Sequence, residues 1–176
     1  MKARALLTGL AVVLLLAAED NPTLKEFAPK EGGFSVRVPG DMKEAVRKAK
    51  GPGGKEEVQR TYTYAPNPST VYLILDREMP ALAKANAATV QMALENGRKA
   101  AEKSLKGKLL NEKKVSLGKH QGLEFLIESE KLGAYRSRVY IVDGRMYQVT
   151  VMAPKDVATS KTADEYLQSF KLQEKE

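Results

Sequence analysis

Tyr135-Arg136-Ser137-Arg138-Val139-Tyr140-Ile141-Val142 and Arg145-Met146-Tyr147-Gln148-Val149-Thr150-Val151-Met152 flank the dipeptide Asp143-Gly144. Both flanks are rich in β-branched and aromatic residues, and Asp-Gly tolerates the positive φ angles that a two-residue hairpin turn demands. The stretch predicts two antiparallel strands joined by a tight turn. Just upstream, Leu123, Phe125 and Ile127 alternate with Glu124 and Glu128, and Leu109 to Leu117 precedes them across Gly118-Lys119-His120-Gln121-Gly122. Strands joined by turns this short must pair antiparallel, because a parallel return needs about a dozen residues. Four consecutive strands follow from these residues.

Further toward the N-terminus the period changes. Val90, Leu94, Gly97, Ala101 and Leu105 recur at spacings of three and four, which predicts an amphipathic helix from about Ala87 to Lys106, stopped at Gly107. Arg98, Lys99, Glu102, Lys103 and Lys106 fall on its solvent side, with Glu95–Lys99 and Glu102–Lys106 in the favourable i,i+4 order. Before the helix, Phe34-Ser35-Val36-Arg37-Val38 alternates and is stopped by Pro39-Gly40. A second strand runs from about Val58 to Tyr64. A third, Val71 to Asp76, is an unbroken apolar run, as expected of a strand inside a sheet with both faces covered. The lysine-rich Asp41 to Lys55 stretch, with Gly51-Pro52-Gly53-Gly54, reads as a mobile connection. At the C-terminal end, Thr162-Ala163-Asp164-Glu165 has capping-box spacing, and Ala163, Leu167 and Phe170 mark a short helix. The order of three strands, long helix, four strands and short helix predicts an α+β fold, with a central antiparallel β-sheet, a long mid-chain helix and a short C-terminal helix.

The 176 residues, 43% hydrophobic and 29% charged, suit one folded domain and exclude a disordered chain. The absence of cysteine excludes disulfides, thiolate chemistry, iron–sulfur clusters and cysteine-held zinc, and a single histidine excludes a multi-histidine metal site. Neither a cofactor nor a metal is predicted. Residues 1–18 carry Lys2 and Arg4 ahead of an apolar run from Ala5 to Ala18, followed by Glu19 and Asp20. That is the pattern of a secretory signal peptide, too short to span a bilayer comfortably. An uncleaved anchor is the alternative, because Leu15 or Leu16 stands three places before a cut after Ala17 or Ala18. Residues 19–33 read as a polar lead-in and residues 34–172 as the globular domain. The expected location is periplasmic or extracellular, with membrane contact only through residues 5–18 if they are retained.

Gly33-Phe34-Ser35-Val36-Arg37-Val38-Pro39-Gly40 resembles the opening strand of PsbP-like domains, which include small exported bacterial proteins. The mid-chain helix, the hairpin Tyr140-Ile141-Val142-Asp143-Gly144-Arg145-Met146-Tyr147 and the ending Leu167-Gln168-Ser169-Phe170-Lys171-Leu172 are similar as well. The resemblance covers residues 27–172 in order and spacing. It implies an α/β/α sandwich, and it implies an accessory or binding role, because no catalytic set is common to the group. Fold analogy by itself does not assign function.

The residues offer few catalytic constellations. His120 sits in a glycine-bounded turn without an evident orienting carboxylate, no G-x-S-x-G is present, and Glu56 stands where a phosphate loop after Gly51–Lys55 needs Ser or Thr. Asp76 and Glu78 share one face at a strand end, at roughly 7 Å Cα spacing, within the range of a glycosidase carboxylate pair. Arg60, Tyr62 and Tyr64 share one face of the second strand, and Arg136, Arg138 and Tyr140 share one face of the sixth. Tyrosine and arginine favour binding surfaces, so these six are the candidate binding face. The competing expectation is that the rings pack under a helix. A net charge of +7, spread along the chain and weak in aromatic interleaving, does not suggest nucleic acid. The expectation is an exported non-catalytic binding or accessory domain acting on an envelope protein or an anionic surface. An envelope-polymer hydrolase using Asp76 and Glu78, or a carrier of a small apolar ligand, stands as the alternative.

Overall fold

A computed structural model describes residues 23–50, 54 and 56–173. Residues 1–18, with the expected signal peptide, and most of the glycine-rich run at 51–54 lie outside the described residues. The strand β2 (Phe34–Val38) buries Phe34, Val36 and Val38 and turns Ser35 and Arg37 away, as its alternation predicts. It pairs antiparallel with β1 (Lys25–Phe27) on one edge and with β10 (Lys171–Leu172) on the other. Seven further strands form the main sheet: β3 (Lys43–Lys50), β4 (Glu56–Asn67), β5 (Thr70–Glu78), β6 (Lys108–Leu117), β7 (His120–Ser129), β8 (Gly133–Val142) and β9 (Arg145–Ala153). Their order is β3-β4-β5-β9-β8-β7-β6, antiparallel throughout. The helix α1 (Ala87–Leu105) carries the chain from the middle of the sheet to its far edge, and the β6–β9 meander walks back until β9 zips onto β5. Asp143 and Gly144 both take positive φ in the β8–β9 turn, at 47° and 80°, as a type I′ hairpin requires.

The two sheet faces are covered differently. On the inner face lie the small β1-β2-β10 sheet, α2 (Lys155–Ala158) and α3 (Lys161–Gln168). Their contact with the main sheet is an aromatic core of Phe34, Tyr62, Tyr72, Tyr147, Tyr166 and Phe170, with Phe34 stacked on Phe170 at 5.2 Å between ring centres. Fully burying one such ring contributes about 1.5–3 kcal/mol, and edge-to-face pairs add about 0.5–1.5 kcal/mol each. The Tyr166 hydroxyl donates to the Leu73 carbonyl at 2.9 Å, so its polar tip is satisfied in the core. On the outer face α1 lies over β7 and β8, where Leu94 meets Leu123, Phe125, Ile127 and Ile141.

Several local expectations change. The Asp41–Lys55 stretch contains strand β3, all eight of whose residues are exposed; its backbone ladder to β4 and a surface Lys48–Glu56 pair hold it, with no buried row, so no alternation marks it. The polar lead-in contributes β1. The cap of α1 is Asn86, whose side chain accepts from the Thr89 amide, and the left-handed C-cap is Lys106 at φ 48°. Gly107 is needed for a different reason: a Cβ there would lie 2.5 Å from Ile127 and 2.7 Å from the Glu128 carbonyl. Arg98 is not solvated. Its guanidinium reaches Glu102 at 2.6 Å and Glu112 of β6 at 2.7 Å, locking α1 to the sheet edge. The cap of α3 is Ser160, accepting from Ala163, two residues before the expected Thr162. Strand β5 does lie inside the sheet, but only its inner face (Tyr72, Ile74 and Asp76) is buried; Val71, Leu73 and Leu75 on the outer face remain partly exposed.

Candidate functional site

The six residues expected to form a binding face point inward. Tyr62 is 1% exposed and lies edge-on to Phe27 and Phe34 at 5.3 and 5.8 Å. Burial, then the carboxylates of Glu44 and Asp76, push its phenol up to about 12. Tyr64 leans on Tyr72, Tyr140 stacks on Phe170, and Arg60 stands in the same inward row. Arg136 and Arg138 converge on Glu124 of the neighbouring strand. Arg136 holds one carboxylate oxygen at 2.8 Å and Asp164 of α3 at 2.7 Å; the Arg138 Nε donates to the other Glu124 oxygen at 2.5 Å. Arg136 and Arg138 also reach the Ala158 and Leu167 carbonyls. The cluster thus rivets α2 and α3 to the sheet. Burial pushes the Glu124 carboxyl up, but the hydrogen bonds from Arg136 and Arg138 outweigh it and hold it below the usual range. The physical reason these residues do not form a surface is that the chain covers that face itself.

Asp76 and Glu78 are placed on the same strand row but bound to different groups. Asp76 is 1% exposed, and Arg145 clamps both its oxygens, Nε to Oδ1 at 2.5 Å and Nη2 to Oδ2 at 2.6 Å. The same guanidinium donates to the Glu31 carbonyl, and the Tyr147 hydroxyl donates to that of Gly32, so this ion pair pins the arm leading into β2. Glu78 accepts from the Val58 amide at 3.2 Å. A glycosidase acid must reach a sugar oxygen; the Asp76 carboxylate faces the interior. His120 opens β7 and lines a shallow cavity of about 220 Å³ with Lys119, Gln121 and Asp143. Among the described residues no three His, Asp or Glu side chains gather as a metal site, and no helix is long and apolar enough to cross a membrane.

A mostly apolar concave feature lies on the outer face. A cleft of about 280 Å³ opens beside α1 over β7 and β8 and extends to Met146 and Gln148 of β9 and Arg77 of β5, floored by Phe125, Tyr135, Ile141 and Met146 and walled by Leu94, Gly97 and Arg98. Gln148 and Arg77 supply polar groups at its margin; Gln148 is oriented by donating to the Tyr135 hydroxyl. Burial raises that phenol. Beyond the cleft the outer face continues uncovered, with Val71, Leu73 and Leu75 of β5 beside Met152 of β9, in a register that pairs Val71 with Met152 and Leu73 with Thr150. None of these four apolar side chains belongs to either core cluster. The cleft was missed because β5 is apolar on both parities, so alternation does not say which face is left open. The signal that could have found it is Gly97, a glycine inside a helix stripe. A Cβ built there meets nothing within 4 Å.

No known protein family matches the sequence, and no curated protein matches it. The structure is similar to the solution structure of cyanobacterial PsbP from Synechocystis sp. PCC 6803, at TM-score 0.57 and 12% identity, covering 86% of this chain and 93% of that one. A crystal structure of a Pseudomonas aeruginosa protein of unknown function aligns at TM-score 0.36 and 12% identity, over 77% of this chain and 86% of that one. The strand order, the long mid-chain helix and the short C-terminal helix, matched to the cyanobacterial protein over most of both chains, make the fold of this chain PsbP-like.

Proposed function

We propose that this chain is an exported, non-catalytic accessory domain that works by binding another protein of the cell envelope through the uncovered half of its outer sheet face. The observation that carries the reading is that half-face: partly exposed apolar side chains of β5 and β9 running into the cleft beside α1. Concave, mostly apolar sites with a few convergent polar groups are where ligands and partners bind. Export is supported by the charged, then apolar, start of the sequence. The hydrolase reading gains less from the geometry, since Arg145 holds both Asp76 oxygens. The cleft's volume also favours a second reading, a carrier of a small apolar ligand, for which native mass spectrometry of the purified protein would show a co-purifying mass.

The test uses the protein in its own cells. A photo-crosslinking residue at Leu73 is compared with one at Met92, which is exposed on α1 away from the cleft. The expected result is a discrete envelope adduct from Leu73 and none from Met92, with the protein in the exported fraction and its N-terminus processed near residue 18. Equal adducts from both positions, no adduct from either, or retention in the cytoplasm would overturn the reading.

A further inference from the structure

The dimensions of the open half-face set what fits it. Neighbouring strands lie about 4.8 Å apart, so two strands make a lane about 9.6 Å wide, and packed helices sit about 8–10 Å apart. The α1 helix fills the lane over β7 and β8; the next lane, over β9 and β5, is the open one. Its β5 side is apolar, with Val71, Leu73 and Leu75, while β9 sets the polar Gln148 and a buried Thr150 between Met146 and Met152. Its wall is the flank of α1 that carries Ala93, Gly97, Ala100 and Ser104, at spacings of three and four. Arg98 borders the same cleft from beneath the helix and reaches across to Glu112 of β6, which fixes which flank of α1 faces β6 and which faces β9. Apart from Arg98, whose charge is paired with Glu102 and Glu112, the cleft-lining residues of α1 are small or apolar, and Gly97 leaves room for another backbone to approach. An interior helix glycine is less favourable than alanine, and no contact among the described residues requires it.

Charge gives the partner its sign. Among the outward-facing described residues of β3, β4, β5 and β9, the cations are Lys43, Arg47 and Arg77 and the only acid is Glu57, which lies 3.5 Å from Arg77. The apolar row of β5 is therefore followed, across β4, by the cations Lys43 and Arg47 of the edge strand, unpaired among the described residues. We propose that it takes an amphipathic helix of a partner protein with an apolar stripe and acidic flanks, laid alongside α1 to complete a two-helix outer layer. The proposal rests on the reading of this half-face as the binding surface and names the chemistry of what binds there. Such helices read a groove through apolar anchors at i, i+3, i+4 and i+7, and flanking charges set partner choice and encounter rate more than affinity.

The experiment adds two synthetic helical peptides to the purified protein and follows amide and methyl NMR signals. Both peptides have the 19-residue length of α1 and the same leucine–alanine stripe; one is flanked by glutamates and the other by lysines. The expected result is that the acidic peptide shifts signals of Leu73, Leu75, Met146 and Gly97, binds at least about tenfold more tightly than the basic one, and loses that preference at high salt. The double variant Lys43→Glu, Arg47→Glu, on an exposed edge strand, should invert the preference. Gly97→Leu should weaken the acidic peptide without lowering the unfolding temperature. Equal binding of the two peptides, shifts elsewhere on the protein, or self-association through this face in sedimentation would overturn the proposal. So would a co-purifying apolar molecule that keeps the peptide out. If the peptides fail while crosslinking from Leu73 still yields its adduct, the binding surface stands and the helical acidic partner falls. If both fail, the surface falls with it.

Discussion

The two faces of the main sheet are built to opposite ends. The inner face is closed by aromatic packing and two buried ion clusters, whereas the outer face is sealed over β7 and β8 and left open over β9 and β5. Even within the inner face, two buried carboxylates differ instructively. Glu124 has two arginines and is held below the usual carboxylate range, because their hydrogen bonds outweigh the cost of burial. Asp76 has one arginine, and there the burial cost wins and the carboxyl is raised. One guanidinium satisfies the geometry of a buried carboxylate; two are needed here to make its charge favourable. Every inward arginine at these clusters is thus committed to holding the fold, and the residues free to meet a partner are the apolar ones outside.

The largest effect expected is at Glu124. Glu124→Gln leaves Arg138 buried without a counter-charge and Arg136 with Asp164 alone, and breaking a buried pair this way costs about 3–5 kcal/mol. Denaturant unfolding should show it as a lower midpoint with an unchanged slope. Because the folded-state pKa of Glu124 is depressed, its contribution is present above the unfolded carboxylate pKa of about 4.3 and is lost as pH falls through the folded value. The deficit of Glu124→Gln should therefore shrink on acidification. A deficit under about 1 kcal/mol at neutral pH would break the comparison by showing the cluster to be dispensable.

Asp76→Asn comes next, at about 1–3 kcal/mol, since Arg145 keeps the Glu31 carbonyl and is itself partly exposed. Its pH dependence runs the other way. With a raised folded-state pKa, Asp76 binds a proton more readily folded than unfolded, so its penalty sets in as pH rises from the unfolded to the folded value. The deficit of Asp76→Asn relative to the parent should widen on acidification. Parallel pH profiles for the two variants would show that the number of arginines does not decide the sign.

The same difference between the faces explains what the residues revealed in advance. Period-two alternation says which side chains share a face, and it placed Phe34, Val36 and Val38 together, and Arg136 with Arg138 and Tyr140. It does not say which face the rest of the chain will cover. That is decided by the β1-β2-β10 sheet, α2 and α3, which come from the two ends of the described chain, so the tyrosine–arginine row was legible as a group and not as an interior. The Asp143-Gly144 turn was legible because it depends on two residues alone. Strand β3 was not, because a fully exposed edge needs no pattern, and the open lane was not, because Val71, Leu73 and Leu75 look like any buried strand until the cover is counted.

The smaller effects test the outer face, where stability and binding should separate. Gly97→Ala adds a methyl to open space in the interior of α1 and should raise stability by about 1 kcal/mol, seen as a higher unfolding midpoint. A loss of stability would mean that something does pack at Gly97. Leu73→Thr should do least to the fold. Threonine is β-branched and favoured in strands, and Leu73 lies outside both core clusters, so the change should stay within about 0.5–1 kcal/mol. Yet the same substitution removes an apolar anchor from the middle of the open lane, and adduct formation from a crosslinker at the neighbouring Leu75 should fall several-fold. If instead Leu73→Thr unfolded the protein as Glu124→Gln does, the outer lane would be part of the core, and the two faces would not differ in kind.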